Sequence, residues 1–187
     1  MNSKTDNLND SSTVLLSQCR RGESSALKKL YLLYIKAMLN ISMRIVNNKD
    51  EAEDILQECF LKAFQNIHQF GSEKDFAAWL KRVVVNRSID TLRKQKKENI
   101  LYMDEVADIE DEKEEENVVY DVETVRSCVQ LLPDGYRIVL TLYLFEEYSH
   151  SDIATLLNIS EGTSKSQYSR AKNKLISLIK AKTLRHA

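Results

Sequence analysis

The sequence predicts an all-α protein of two small helical domains joined by an acidic flexible linker, the C-terminal one a helix-turn-helix. Three observations carry that expectation. Only 4 Gly and 1 Pro occur in 187 residues, too few turn makers for a sandwich or a barrel. Apolar residues recur at steps of three and four along most of the chain, the period of an amphipathic helix. Charge is segregated even though 27 Lys+Arg nearly cancel 28 Asp+Glu. Residues 20–99 hold 16 bases and 10 acids, residues 104–116 nine acids and one Lys, and residues 161–187 seven bases and one acid.

Residues 1–13, rich in Asn, Ser and Asp, are expected to be a disordered N-terminus, and the first helical domain is expected over residues 14–97. Leu27, Leu30, Tyr31, Tyr34, Met38, Ile41 and Ile45 lie on one helical stripe, which Asn47-Asn48-Lys49-Asp50 interrupts. Ala52, Ile55, Leu56, Cys59, Phe60, Ala63 and Phe64 make a second stripe. Phe76, Trp79, Leu80, Val83 and Val84 begin a third, where the β-propensity of Val83-Val84-Val85 yields to the helical pattern on both sides. The acidic segment within residues 98–120 has too few apolar groups to offset its ordering entropy, so it is expected to be the linker. The second domain is expected over residues 121–182. Val118, Val122, Val125, Val129 and Leu132 form its first stripe, stopped by Pro133, and Tyr136 to Phe145 its second helix. Ser149-His150-Ser151-Asp152 reads as a capping box before a short helix ending at Leu157. Asn158 suits a left-handed closing residue, and Ser160 suits the cap of a last helix running to about Lys180.

No apolar run approaches the roughly 20 residues of a membrane-spanning helix, and no basic start followed by an apolar block marks a secretory signal. The expectation is a cytoplasmic protein that is not inserted in a membrane. Cys19, Cys59 and Cys128 are far apart and fit buried reduced thiols better than a disulfide or a structural metal site. An enzyme needs a constellation that is absent here. There is no phosphate-binding glycine loop, and His68, His150 and His186 are scattered, so catalytic residues, cofactor and metal are all expected to be none.

Three sets of polar residues remain. Trp79, Arg82, Asn86, Asp90, Arg93 and Lys97 share one stripe of the third helix, and Lys81 to Lys97 contains seven bases against one acid. Such a stripe neutralises phosphate and stacks on unpaired bases. The competing reading is a solvated basic face with Trp79 in the core. On the last helix Tyr168, Ala171, Leu175 and Leu178 or Ile179 face inward. Thr163, Ser166, Arg170 and Asn173 then lie opposite, with Lys165 and Ser169 on a flank, a set able to bond base edges in a major groove. Asp50, Glu51, Glu53, Asp54, Gln57 and Glu58 cluster on the second helix, either as a solvated face or as a dock for a basic partner.

Taken in order, Asp50 to Phe64, Phe76-Ala77-Ala78-Trp79-Leu80 with Asn86 to Arg93, Leu132-Pro133 through Tyr136-Arg137, and Ser160 to Ser166 resemble the extracytoplasmic-function (ECF) group of bacterial RNA polymerase sigma factors. The resemblance implies that core RNA polymerase and promoter DNA are the partners, with Asp54, Gln57 and Glu58 on the polymerase clamp. It implies that Trp79, Arg82, Asn86, Arg93 and Lys94 engage the downstream element and the melted strand, and that Thr163, Lys165, Ser166, Ser169 and Arg170 read the upstream element. It also implies an anti-sigma factor, often membrane-anchored. Ser164, Gln167 and Cys59 depart from the group's usual residue types, which leaves the promoter sequence open, and Val85 stands where a basic residue is usual, which implies one weakened phosphate contact without a change of fold. The alternative is a helix-turn-helix regulator acting without polymerase, since the C-terminal helices alone would fit it.

Overall fold

A computed structural model describes residues 14–95 and 121–184, and every regular element among them is helical. The expectations for residues 1–13 and for the linker, and the positions of Lys97, Val118 and His186, lie outside the described residues. The chain divides into two compact units, one through Asp90 and one from Thr91.

The first unit contains α1 (residues 14–20), α2 (Ser24–Val46), α3 (Lys49–Gln65), a 3-10 turn (Ile67–Gln69) and most of α4 (Glu73–Gln95). Helix α1 had no counterpart in the apolar stripes, yet its Leu16 and Cys19 are buried. It turns into α2 through Gly22 at φ +77, a left-handed position that glycine takes without strain. The stripe of α2 is buried at Leu30, Met38, Ile41 and Ile45. It ends where two asparagines take different jobs. Asn47 adopts φ 56 and donates its amide to the Met43 carbonyl, closing α2. Asn48 stays extended, and its side-chain oxygen accepts from the amides of Asp50 at 3.0 Å and Glu51 at 3.3 Å, opening α3.

Helix α4 begins at Glu73, ahead of the apolar Phe76 that marks it in the sequence. The Asp75 amide donates to Ser72 Oγ at 3.2 Å, and the Ser72 amide donates to Asp75 Oδ2 at 3.0 Å, a reciprocal cap inside the polar stretch. Val84 and Val85 are fully buried within the helix, as the flanking pattern requires. Phe76 sits at the centre of this core, its ring 5.6 Å from Tyr34 and 5.3 Å from Phe70. The one polar pair buried there, Ser42 and Ser88, shares a hydrogen bond of 3.0 Å, so neither hydroxyl is left unsatisfied.

The second unit contains α5 (Val122–Gln130), α6 (Asp134–Leu140) with a π-helical turn at Thr141–Phe145, α7 (His150–Leu157) and α8 (Glu161–Thr183). The first residue of α5, Val122, is exposed, and the buried stripe is carried by Cys128, Val129 and Leu132. These pack with Tyr136, Leu140, Ala171, Leu175 and Ile179, which makes α8 the spine of the unit. Helix α6 starts two residues before Tyr136, directly behind Pro133. Its Arg137 is only 2% exposed, with the guanidinium 2.6 Å from an Asp134 carboxylate oxygen and donating to the Leu132 carbonyl at 2.9 Å. Burial pulls the pKa of that guanidinium down to about 10, so it stays charged at neutral pH and braces the α5–α6 turn. In the π-helical turn the Glu146 amide reaches back five residues to the Thr141 carbonyl at 3.1 Å. Tyr143, Leu144 and Phe145 are exposed there.

Candidate functional site

The helix-turn-helix is built as its local chemistry dictates. The Asp152 amide donates to Ser149 Oγ at 3.1 Å and the Ser149 amide to Asp152 Oδ2 at 3.3 Å, completing the capping box of α7. Asn158 closes that helix at φ 55, and Ser160 Oγ accepts the Thr163 amide at 2.9 Å to open α8. Buried Ala171, Leu175 and Ile179, with partly buried Tyr168 and Leu178, fix the rotation of α8. Lys165, Ser166, Ser169 and Arg170 are consequently exposed, and Asn173 is half-buried.

Several of these residues already have intramolecular duties, among them Ser166, whose Oγ donates to the Thr163 carbonyl at 3.0 Å. Thr163 is half-buried, and its hydroxyl lies 2.8 Å from Ser160 Oγ, so it serves the cap. Lys165 Nζ lies 2.7 Å from Glu161 Oε1, one turn earlier on the same helix. That ammonium, by hydrogen bond and by charge, holds the Glu161 carboxyl below its ordinary range. Ser164, which departs from the usual residue type, is fully buried with its Oγ 2.9 Å from His150 Nδ1. The His150 ring stacks on Tyr143 at 4.2 Å, so Ser164 belongs to the joint between α7 and α8 rather than to the reading face.

On α3 the acidic residues divide by their work. Asp50 and Glu51 occupy the first turn, where carboxylates oppose the positive end of the helix dipole, and Glu53 pairs with Lys49 at 3.6 Å. Asp54, Gln57 and Glu58 lie further along, all exposed, at the three- and four-residue spacing of one face. Leu61 continues that face and is 63% exposed. It escaped the sequence analysis because it belongs to no apolar stripe. The available signal was its spacing, seven residues after Asp54, which puts an aliphatic side chain on a polar face.

On α4, Arg82, Asn86, Asp90 and Lys94 are exposed and Arg93 is half-buried in the last turn. Trp79 is half-buried, its ring 5.2 Å from Phe70, so part of the indole is committed to packing. The side chain missing from the sequence-derived set is Arg87. Its Nε donates to Glu58 Oε2 at 2.7 Å and its Nη2 lies 2.6 Å from the same oxygen, joining α4 to the acidic face of α3. Glu58, Lys62, Asn86, Arg87 and Asp90 line a groove of about 490 Å³ between these helices. Cys59 forms part of its wall, and burial pushes that thiol up to about 11, with the Glu58 charge adding and Arg87 and Lys62 opposing.

An acidic face on α3, a basic stripe on α4 and a helix-turn-helix in the second unit suit a protein that binds both a protein partner and DNA. Comparison with known proteins agrees. The family model for Sigma-70 region 2 matches residues 30–98 and that for Sigma-70, region 4 matches residues 123–175. The chain is similar to the ECF RNA polymerase sigma factor SigW of Bacillus subtilis (strain 168), 33% identical over 174 residues that cover 86% of this chain and 92% of that one. It is 30% identical over 173 residues to the RNA polymerase sigma-H factor of Pseudomonas aeruginosa, covering 84% and 88% respectively. Among solved structures it resembles the sigma factor RpoE in complex with the anti-sigma factor NepR from Bartonella quintana, with a TM-score of 0.52, 25% identity, and coverage of 82% of this chain and 96% of that one. Both sigma regions occur in family order and the likeness spans most of each relative, so the chain belongs to the ECF RNA polymerase sigma factors and directs RNA polymerase in promoter-specific transcription initiation.

Proposed function

We propose that the two units divide this work residue by residue. Asp54, Gln57 and Glu58, joined by Leu61, dock a basic helical surface of the polymerase clamp. Arg82, Asn86, Arg93 and Lys94 engage the downstream element and its melted strand, with Trp79 offering the part of its ring that Phe70 leaves uncovered. Lys165, Ser166, Ser169 and Arg170 read the upstream element in the major groove, and Thr163 supports them from the cap. The domain limits are taken as residues 14–97 and 121–182, and the protein acts in the cytoplasm. An anti-sigma factor is its proposed regulator, by likeness to the Bartonella quintana pair.

The observation that carries this division is the exposed face of Asp54, Gln57, Glu58 and Leu61 on α3. Its acids and amide offer charge and hydrogen bonds complementary to a basic partner, and the exposed Leu61 beside them adds apolar contact area. The test is transcription from a promoter library by reconstituted holoenzyme. Lys165→Ala with Arg170→Ala is expected to scramble promoter choice while the protein still co-purifies with core polymerase. Asp54→Lys with Glu58→Lys is expected to lose core polymerase itself. Loss of both activities in both variants would contradict the division.

A further inference from the structure

The groove between α3 and α4 holds a cross-helix ion pair, Glu58 with Arg87, in which two of the three guanidinium nitrogens, Nε and Nη2, address one carboxylate oxygen. Resting on the assignment above, we propose that Arg87 is a further DNA-phosphate ligand held in reserve by Glu58. Occupation of Glu58 by the polymerase clamp and engagement of DNA by α4 are then positively coupled through this one pair.

Position, exposure and charge balance point the same way. Arg87 follows Asn86 and lies two helical turns before Lys94, on the flank of the basic stripe. Its side chain is 35% exposed and that of Glu58 57% exposed, so both ends of the pair are open to exchange partners. Glu58 cannot give its Oε2 fully to a cation of the clamp while Arg87 occupies it, and Arg87 cannot turn to a phosphate while Glu58 neutralises it. A clamp cation that takes over Glu58 releases the guanidinium, and a phosphate that takes Arg87 releases the carboxylate. The same factor must therefore appear in both directions, as linkage requires. Because the pair is substantially hydrated, its loss changes either affinity by at most about fivefold. Lys62 lies in the same groove and is four residues from Glu58, so it limits how far Glu58 alone controls the local field.

The experiment uses the full-length free protein and a labelled mixed-sequence single-stranded oligonucleotide, titrated across a range of salt. Glu58→Gln is expected to tighten binding by about two- to fivefold and to steepen the dependence of log K on log salt by about 0.7, one phosphate contact on a single strand. Arg87→Gln is expected to bind no more tightly than wild type, and adding Glu58→Gln to Arg87→Gln is expected to give no further gain. Arg87→Lys in the Glu58→Gln background retains the gain. A gain that persists in the double variant reduces the effect to a lost negative charge, and no gain from Glu58→Gln removes Arg87 from the DNA ligands; either result overturns the proposal. Asp54→Asn serves as the control for a lost charge without an Arg87 partner. Co-elution of Arg87→Gln with core polymerase is scored separately. Retained co-elution with no coupling defeats the reserve role alone, whereas wild-type protein that fails to co-elute defeats the assignment on which it rests.

Discussion

Helices α4 and α8 both carry cations proposed to meet DNA, and they restrain those cations in different ways. Arg87 of α4 is held by Glu58 of α3, 29 residues away, so its partner is set by how two helices pack. Lys165 of α8 is held by Glu161 on its own helix, so its partner is present wherever that helix forms. The first arrangement responds to whatever binds α3, while the second is local and shapes only the reading face. The cores differ in parallel. The first unit packs its helices on aromatic and aliphatic side chains around Phe76, whereas the second packs three short helices against the long α8 and braces a turn with a buried guanidinium.

That contrast is most sharply tested through stability. Phe76→Ala should cost the first unit about 3 to 5 kcal/mol by opening a cavity among Tyr34 and Phe70. Arg137→Ala should cost the second about 3 kcal/mol, because it removes the partner of the Leu132 carbonyl and the Asp134 carboxylate in a buried turn. Hydrogen exchange on the full chain resolves the two. Each substitution is expected to deprotect its own unit, and equal deprotection of both by Phe76→Ala would break the comparison. A smaller effect belongs to the capping box, where Ser149→Ala should destabilise the helix-turn-helix by about 1 kcal/mol in chemical denaturation monitored on the second unit.

The pH behaviour separates the two restraints further. The folded pKa of Glu161 is depressed, so the contribution of its pair with Lys165 is complete above the ordinary carboxylate range and disappears as pH falls through that depressed value. NMR titration of the Glu161 carboxyl should show a midpoint below that of Glu161 in Lys165→Gln. Cys59 shifts the other way. Its thiol is raised to about 11, so the neutral form is favoured by folding, and its contribution is present below the unfolded thiol value and lost as pH rises through about 11. Iodoacetamide at pH 8 should therefore modify Cys59 far more slowly in native than in urea-unfolded protein. Equal rates would place the thiol in a solvated site.

The sequence announced what depends on periodicity and local chemistry. The stripes of α2 and α3, the helical state of Val83-Val84-Val85, the left-handed Asn158 and the Ser149–Asp152 box all follow from spacing and residue type, and the structure has each of them. What it concealed depends on long-range contact or on backbone deviation. The early start of α4 rests on a cap whose residues look like loop in the sequence. The π-helical turn at Thr141–Phe145 has no side-chain period of its own, so residues that read as ordinary helix become an exposed aromatic and aliphatic turn. Nothing in the sequence marks Arg137 as buried, and it is buried because its turn supplies a carbonyl and a carboxylate. The shared exposed face of Asp54, Gln57 and Glu58 was legible from spacing, but the position of Arg87 was not, since it is set by a partner on another helix. Thr163 also takes part in the cap with Ser160, which its place among the polar residues of α8 did not show.

The most direct test of the whole account is association with bacterial core RNA polymerase, followed by co-elution of the full-length chain on a sizing column at low and at moderate salt. The account predicts a one-to-one complex that is lost with Asp54→Lys and Glu58→Lys and kept with Lys165→Ala and Arg170→Ala. No complex at low salt, together with salt-dependent binding of the free chain to duplex DNA, would contradict it and leave a helix-turn-helix regulator that works without polymerase.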